Sequence, residues 1–391
     1  MVAVSAWKLD LASLKQPRPL EQGVKTNARL LHYDYRYREL REAFVAVPGS
    51  GKTERKDTRA AMKFCMHLST RIQDKRKELT LINCLTELAL EADVSGFSAI
   101  SLTEHHLYEN QGYQNSLLFA AALAPQLTQA TLVLATVNPA IHHPIRLVES
   151  CNFIDQLNAG RLVVVFGSGF KDTDLVAFGR DLAERNALFE QGIKTVLDIW
   201  AYDGTDGPLE FTVGSERGRL DVPVNPSSFR KPRPILSRGT FNPAAMADAA
   251  ARGWPVFTAI KDITAAREQL TRYHAALANS GHDAETVRIA KDWTAVGKAV
   301  HVAETDEQAR SEAEAFFIKN PSGAIARNPD DMICGSPETV VRKMRDFAEA
   351  GAGLMICGFL IDLDNLPQLR RSVSLFKGEV IPKMAAARRA A

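Results

Sequence analysis

The sequence predicts an α/β fold of the (β/α)8 TIM barrel class, a single domain with insertions that begins near residue 62. Short apolar segments alternate eight times with helical patterns, and the segments are apolar on both faces, as buried parallel strands must be. About 330 residues also suit such a barrel with two insertions. A doubly wound open sheet is the alternative, but the glycine-rich turn typical of its first strand is not found.

The elements follow from apolar runs and helical periodicity, taken in chain order. Strands are predicted at 63–68, 98–102, 132–137, 162–166, 234–237, 256–260, 299–303 and 354–358. Helices are predicted at 79–92, 146–157, 185–200, 243–252, 263–280, 337–350 and 369–384, with one more before Gly335. In the first helix, residues spaced three and four apart are expected to face inward, namely Leu79, Ile82, Leu85, Leu88, Ala89 and Ala92.

Two boundaries are marked especially clearly. Ser336-Pro337 predicts a helix start, with serine as N-cap and proline in the first helical position. Residues 202–234 are rich in proline and glycine and too long for an ordinary barrel loop, which predicts an insertion with short β-like pieces.

Residues 1–61 differ from the rest of the chain. They hold twelve Lys and Arg against seven Asp and Glu, a net charge of +5, whereas the whole chain carries +2. No periodic apolar face precedes residue 39, so we expect a poorly ordered N-terminal extension. Residues 46–53 fit a permissive P-loop pattern, but no convincing strand precedes them and no acidic strand follows, so nucleotide hydrolysis is the last of the alternatives.

Composition excludes several functional classes. The small net charge of +2 argues against nucleic-acid binding, which usually demands a clustered basic face. The chain shows no signal-peptide pattern and no apolar run of the ~18 residues that span a bilayer, so a cytoplasmic location without membrane contact is expected. Five scattered cysteines without a CxxC pair predict reduced thiols, at positions 65, 84, 151, 334 and 357.

Glu104-His105-His106 directly follows the second predicted strand. The carboxyl ends of barrel strands form the active-site face, so these three titratable groups are the first catalytic candidates. A solvated loop is the plain alternative. A His/Glu metal site would need a further ligand from another strand end, and the sequence offers no obvious one, so no metal is predicted.

Two further strand ends suggest ligand contacts. Gly167-Ser168-Gly169 ends the fourth strand, where glycine would let the backbone approach a flat ring or a phosphate, although such a pair is often only a turn. Ser237-Arg238-Gly239-Thr240 ends the fifth strand ahead of a helix. Amide donors, a hydroxyl and a guanidinium make this segment a reasonable phosphate seat.

Several motifs in this order resemble the bacterial luciferase-like flavin-dependent monooxygenases, the alkanal monooxygenases in particular. The resemblance covers almost all of 62–391. Its most specific segments are Glu104-His105-His106, His143-Pro144-Ile145-Arg146, Asp155-Gln156-Leu157 with Gly160-Arg161, Phe178-Gly179, Glu184-Arg185, Phe189-Glu190, Gly335-Ser336-Pro337-Glu338, Cys357-Gly358-Phe359, and Phe376 with Val380-Ile381-Pro382.

The resemblance implies that reduced FMN arrives from a separate NAD(P)H:flavin reductase and reacts with O2, and that the resulting flavin C4a-peroxide attacks a small organic substrate. It also implies a homodimer. The catalytic histidine maps to His105, with Glu104 orienting or tuning it and His106 beside it. An imidazole with a pKa near neutrality would suit this proton transfer.

The resemblance also implies a flavin site at the strand ends. Its residues are Thr136, Asn138, Gly167, Ser168 and Gly169 at the flavin face, and Arg238, Gly239, Thr240, Asn242 and Arg185 at the phosphate. Gly167-Ser168 stands where luciferase has Cys-Arg, so light emission is not expected. A deazaflavin (F420)-dependent oxidoreductase and a non-catalytic flavoprotein remain alternatives. Deleting residues 1–61 is expected to leave the fold and flavin binding intact.

Overall fold

The computed structural model describes residues 62–69, 71–72, 74–107, 111–169, 171–259, 262–320, 326 and 328–386. The predicted N-terminal extension, with its P-loop-like segment, lies outside the described residues.

The described residues form eleven strands. These are β1 (Lys63–Leu68), β2 (Ala99–Leu102), β3 (Thr131–Val137), β4 (Leu162–Phe166), β5 (Leu209–Val213), β6 (Glu216–Leu220), β7 (Ile235–Gly239), β8 (Val256–Thr258), β9 (Ala295–Val302), β10 (Ile333–Gly335) and β11 (Leu354–Phe359). Eight of them pair in parallel as β11-β1-β2-β3-β4-β7-β8-β9, and β9 also pairs with β11, which closes the barrel. The predicted (β/α)8 fold is therefore confirmed.

Helices cover the outside of this barrel. They are α1 (Glu78–Asp93), α2 (Ser116–Leu123), α3 (Pro144–Leu157), α4 (Asp172–Ala177), α5 (Arg185–Ala201), α6 (Pro243–Ala251), α7 (Ile263–Ala278), α8 (Ala284–Trp293), α9 (Asp306–Lys319), α10 (Pro337–Glu349), α11 (Leu366–Leu375) and α12 (Ile381–Ala386). The Ser336 hydroxyl accepts a hydrogen bond from the Thr339 amide, as the predicted helix start requires. Among the described helices, none is long and apolar enough to cross a membrane.

Two predictions of detail are wrong. In α1 the buried side begins at Leu81 and Cys84, whereas Leu79 is 70% exposed and Ile82 is 38% exposed. The helix is therefore rotated from the predicted face at its first turns. Strand β9 starts four residues before the predicted start. A lysine interrupts the apolar run there, but Lys298 is buried inside the strand, and its Nζ donates to the Asp331 carbonyl at 3.1 Å.

The insertion at 202–234 contains the antiparallel hairpin β5–β6. Val213 of this hairpin packs in a small apolar cluster with Ile141 and Leu188. The end of the insertion is held at the amino-terminal face of the barrel, where Asp155 accepts hydrogen bonds from the Ser228 hydroxyl and the Arg230 amide. The hairpin thus reaches the loop after β3, while its return segment is fixed at the opposite face.

Asp93 makes a similar connection at the amino-terminal face. Its carboxylate, at the end of α1, accepts hydrogen bonds from the Thr128 amide at 2.8 Å, the Thr128 hydroxyl at 2.7 Å, the Gln129 amide at 2.8 Å and the Ala130 amide at 2.6 Å. These donors lower the pKa of Asp93 although burial acts to raise it. At the amino-terminal face of the barrel, buried carboxylates therefore connect helix ends to neighbouring loops by hydrogen bonds.

Alternating residues of the barrel strands fill its interior. Small and branched side chains dominate this inner cluster, among them Cys65, Ala99, Val133 and Val165. Because side chains alternate along a strand, His67 and Ser101 lie on the same inner side as Cys65 and Ala99, nearer the carboxyl ends. The interior thus becomes polar as it approaches the face where the candidate site residues lie.

Candidate active site

The predicted site residues lie at the carboxyl ends of neighbouring strands. Glu104, His105 and His106 follow β2, Asn138 follows β3, and Gly167–Gly169 follow β4. Arg238 and Gly239 end β7. Parallel pairing from β2 through β7 brings all of these ends to one face of the barrel.

Glu104 is the buried centre of one half of this face. Its side chain is 3% exposed; Oε2 accepts a hydrogen bond from the Asn138 amide at 3.0 Å, and Oε1 lies 2.7 Å from Nε2 of His142. Burial acts to raise the pKa of Glu104, but the close contacts with the imidazoles of His106 and His142 outweigh it and lower the pKa to about 2. This carboxylate is therefore ionised at physiological pH.

His105 carries a neutral imidazole. Burial lowers the pKa of His105 to about 4, opposed by the charge of Glu104 and assisted by the charges of Lys171 and Arg71. This value lies below the near-neutral one that the sequence suggested, because the side chain is more buried than a strand-end loop position implies. At pH 7 the His105 ring is therefore neutral and has a nitrogen that can accept a proton, although the imidazolium form is less stable than the neutral form.

His106 faces Glu104 and differs from His105 in its surroundings. Its Nε2 lies 3.1 Å from Glu104 Oε1, and its ring meets the Phe178 ring edge-on with centroids 4.8 Å apart. The contact with Glu104 lacks hydrogen-bond geometry, and within the described residues the buried Nε2 has no hydrogen-bond partner. We call Glu104, His105, His106 and His142 the histidine cluster.

Two histidines of this face were not among the predicted site residues. His142 lies in the loop between β3 and α3, and only the folded loop brings it to Glu104. His67 lies in β1, where its Nδ1 is 2.7 Å from the Ser101 hydroxyl and burial lowers its pKa to about 4. A signal for His67 existed, because strand alternation places it on the same side as Cys65.

Thr136 lies between two of the predicted glycines. The register of β3 with β4 slips at this residue. A Cβ on Gly167 would lie 2.5 Å from the Thr136 hydroxyl oxygen, and one on Gly239 would lie 2.6 Å from its methyl carbon. These glycines are needed for packing against Thr136, so they have a structural reason besides cofactor contact. Gly169, with φ of +69°, lies against the Asn138 side chain.

Arginines occupy the other half of the face. Arg238 Nη2 donates to Glu190 Oε1 at 2.9 Å, and its guanidinium carbon lies 4.2 Å from the centre of the Phe189 ring. Arg185 pairs with Asp172. Within the described residues, Arg238 Nη1 and Arg185 Nε are buried and have no hydrogen-bond partner. Each arginine therefore has a donor that an anion could take up.

A helix start lies next to Arg238. Asn242 caps α6, accepting a hydrogen bond from the Ala244 amide at 2.8 Å, and the Thr240 hydroxyl oxygen accepts one from the Asn242 amide at 2.9 Å. Helix N-termini favour anions because their first amides point outward. We call Arg185, Arg238, Thr240 and Asn242 the arginine region.

The family profile described as "Luciferase-like monooxygenase" matches residues 62–353. The alkanal monooxygenase alpha chain of the Kryptophanaron alfredi symbiont is 26% identical over 230 residues, which are 58% of this chain and 62% of that relative. The chain thus spans less than two thirds of that relative's length.

Solved structures show the same fold. Monooxygenase RslO1 from Streptomyces bottropensis superposes with a TM-score of 0.71 at 22% identity, covering 82% of this chain and 99% of that one. The oxygenating constituent of 3,6-diketocamphane monooxygenase from Pseudomonas putida, in complex with FMN, gives a TM-score of 0.68 at 17% identity, covering 83% of this chain and 98% of that one.

Proposed function

The chain belongs to the luciferase-like monooxygenase family, and from this premise we propose that it is an FMNH2-dependent, two-component monooxygenase that uses O2 to oxidise a small organic substrate. Under this proposal a separate NAD(P)H:flavin reductase supplies the reduced flavin, and the enzyme acts as a homodimer. The observation that carries the proposal is one barrel face with the partly buried, neutral His105 on one side and, within the described part of the chain, buried arginine donors without partners on the other.

The arginine region fits the phosphate of FMN. Arg238 Nη1 is a buried donor without a partner among the residues that the structure describes, and the start of α6 adds outward amides. The Thr240 hydroxyl accepts from the Asn242 amide, and its hydrogen can be donated to a phosphate oxygen. Glu190 competes for Arg238, but its side chain is 49% exposed, so a phosphate can displace it at small cost.

Between the two halves, Thr136, Asn138 and Gly167–Gly169 lie where the isoalloxazine ring is proposed to bind. Reduced FMN, when bound, supplies the electrons that activate O2. The protein holds the flavin by its phosphate and places the ring beside the β2 end.

His105 is the proposed proton-transfer residue. Its neutral imidazole can take a proton from the substrate or from the reduced cofactor and return it later. The negative charge of Glu104 raises the pKa of His105 against burial and stabilises the imidazolium when it forms. Glu104 itself stays ionised because the Asn138 amide and His142 hold it.

The proposal is tested by mixing the anaerobic protein–FMNH2 complex with O2 and following flavin absorbance and hydrogen peroxide release. Free FMNH2 reoxidises in a single fast process. With the protein present we expect reoxidation in two phases and a delayed release of hydrogen peroxide. Riboflavin, which lacks the phosphate, is the matched control and should bind more weakly.

Reoxidation at the rate of free FMNH2 despite tight binding would contradict the monooxygenase and support a non-catalytic flavoprotein. Binding of the deazaflavin F420 in preference to FMN, with no effect of O2, would instead support the oxidoreductase alternative.

A further inference from the structure

We infer that Glu104, His106 and His142 form a binding site for one divalent transition metal ion of the Zn²⁺ type, a site that goes beyond the proposed flavin chemistry. Glu104 Oε1, His106 Nε2 and His142 Nε2 all lie within 4.8 Å of one another. Two imidazole nitrogens and one carboxylate oxygen are a ligand set that Zn²⁺, Co²⁺ and Ni²⁺ accept.

The two imidazole nitrogens lie slightly closer to Glu104 Oε1 than ligand atoms lie to one another around a bound metal ion. Glu104 Oε1 lies 2.7 Å from His142 Nε2 and 3.1 Å from His106 Nε2. In a tetrahedral site with bonds of about 2.0–2.2 Å, ligand atoms are roughly 3.3 Å apart. Lengthening these two distances by a few tenths of an ångström, with the two imidazole nitrogens brought from within 4.8 Å to a similar separation, would admit an ion, and the fourth position would be left to water.

The carboxylate is already oriented as a ligand. Glu104 Oε2 is held by the Asn138 amide, which turns Oε1 toward both imidazoles. Ligating carboxylates in metal sites are supported in this way by a second hydrogen bond. The Glu104 side chain is 3% exposed, and those of His106 and His142 are 14% and 17% exposed, so the ion would be shielded but reachable from solvent.

A second observation points to a ligand and not merely to a hydrogen-bonded cluster. The buried His106 Nε2 has no hydrogen-bond partner within the described residues, although it faces the Glu104 carboxylate. The same is true of Asp174 Oδ1, a buried carboxylate oxygen that lies close enough to His106 and Glu104 to interact with their charges. A cation among these groups would satisfy the unpaired nitrogen and offset the two neighbouring negative charges.

The ion would join two loops. Glu104 and His106 follow β2, whereas His142 belongs to the loop between β3 and α3. Metal binding would fix these loops to each other through ligands other than His105, the proposed proton-transfer residue. We therefore expect bound Zn²⁺ to raise the temperature of unfolding.

The test uses the full chain, freed of flavin and treated with EDTA, and titrated with Zn²⁺ by calorimetry and with Co²⁺ by visible absorbance. We expect one equivalent of either ion, Co²⁺ bands typical of low coordination number, and a higher melting temperature with Zn²⁺. His142→Ala should weaken Zn²⁺ binding about 100-fold or more and remove the melting shift. His143→Ala, which changes the adjacent histidine at the start of α3, should keep both.

His142→Gln guards against a folding defect, because its amide can still donate to Glu104 but is a poor ligand. Absence of stoichiometric binding, or binding that survives both His142 substitutions, would overturn the inference. Equal loss in His143→Ala would do the same. FMN binding in the same variants separates this result from the proposed function: loss of metal with retained FMN affinity concerns this site alone, and loss of FMN binding concerns the flavin proposal.

Discussion

The histidine cluster and the arginine region lie on the same face of the barrel but hold their charges differently. In the histidine cluster the carboxylate of Glu104 is 3% exposed and contacts a backbone amide and two imidazoles. In the arginine region the partner carboxylates are exposed, at 49% for Glu190 and 69% for Asp172. Exposed ion pairs contribute little and exchange easily, whereas a buried charge is costly to leave unpaired.

This contrast indicates which half of the barrel face is already assembled without a ligand. The histidine cluster is already assembled without a ligand, as the proposed proton-transfer role requires. The arginine region keeps buried donors that its exposed partners do not satisfy, as a site for an incoming anion should.

The largest expected effect is at His105. His105→Ala should lower product formation per FMNH2 consumed by about 10²- to 10⁴-fold, because a positioned acid–base group is lost, while FMNH2 still binds. Hydrogen peroxide release should rise as productive turnover falls.

His106→Ala is the comparison for His105→Ala. His106 faces Glu104 and Phe178, so its loss should affect local order more than chemistry. A near-normal product yield in the His105 variant, or a larger chemical defect at His106, would reject the assignment of His105.

The second expected effect is on stability and comes from His67. Burial lowers the pKa of His67 to about 4, so the folded state favours the neutral ring. The stability that the neutral His67 ring contributes is fully present above the pKa of about 6.5 in the unfolded state. It is lost as the pH falls toward the pKa of about 4 in the folded state. Between pH 7.5 and pH 5 this group should reduce the free energy of unfolding by about 2 kcal/mol.

Urea denaturation at the two pH values measures this loss. His67→Gln can still hydrogen bond to Ser101 but does not titrate, and the difference between the two pH values should shrink by about 2 kcal/mol in this variant. An unchanged difference would mean that His67 is not the group responsible.

A smaller effect is expected in the arginine region. Arg238→Ala should weaken FMN binding about 10- to 100-fold, since a charge-assisted contact with phosphate is removed, and should leave riboflavin binding unchanged. Glu190→Gln should strengthen FMN binding a few-fold, because it frees Arg238 from a competing carboxylate. Equal losses of affinity for FMN and riboflavin would show that Arg238 does not contact the phosphate.

A stability effect of similar size is expected at the boundary between the two regions. Gly167→Ala places a Cβ 2.5 Å from the Thr136 hydroxyl oxygen and should destabilise the fold by about 1–3 kcal/mol. Gly297→Ala, whose Cβ would lie 3.2 Å from a Phe257 ring atom, is the milder control. Thermal melting compares them, and equal melting temperatures would show that Thr136 can move aside.

The strands were predictable because each is a short apolar run, and the parallel barrel follows from their alternation with helices. The predicted site residues came from strand ends, which a barrel brings to one face. His142 could not be predicted, because nothing in its local sequence indicates the loop path that carries it to Glu104. The pairing of Arg238 with Glu190 depends on how α5 packs beside β7, and the low pKa of His105 depends on burial that no local pattern reports.

The buried carboxylates of Asp93 and Asp155, at the far end of the barrel, matter for anyone who would redesign this protein. Each accepts hydrogen bonds from a loop distant in sequence, mostly from backbone amides, so replacing Thr128 or Ser228 by an apolar residue, or placing proline at 128–130 or 230, would remove a donor from a buried carboxylate. Mutant libraries aimed at a new substrate should leave those turns untouched and vary the rim where the histidines and arginines meet. Substitutions are therefore expected to be tolerated better at the carboxyl-terminal face of the barrel than at the amino-terminal face.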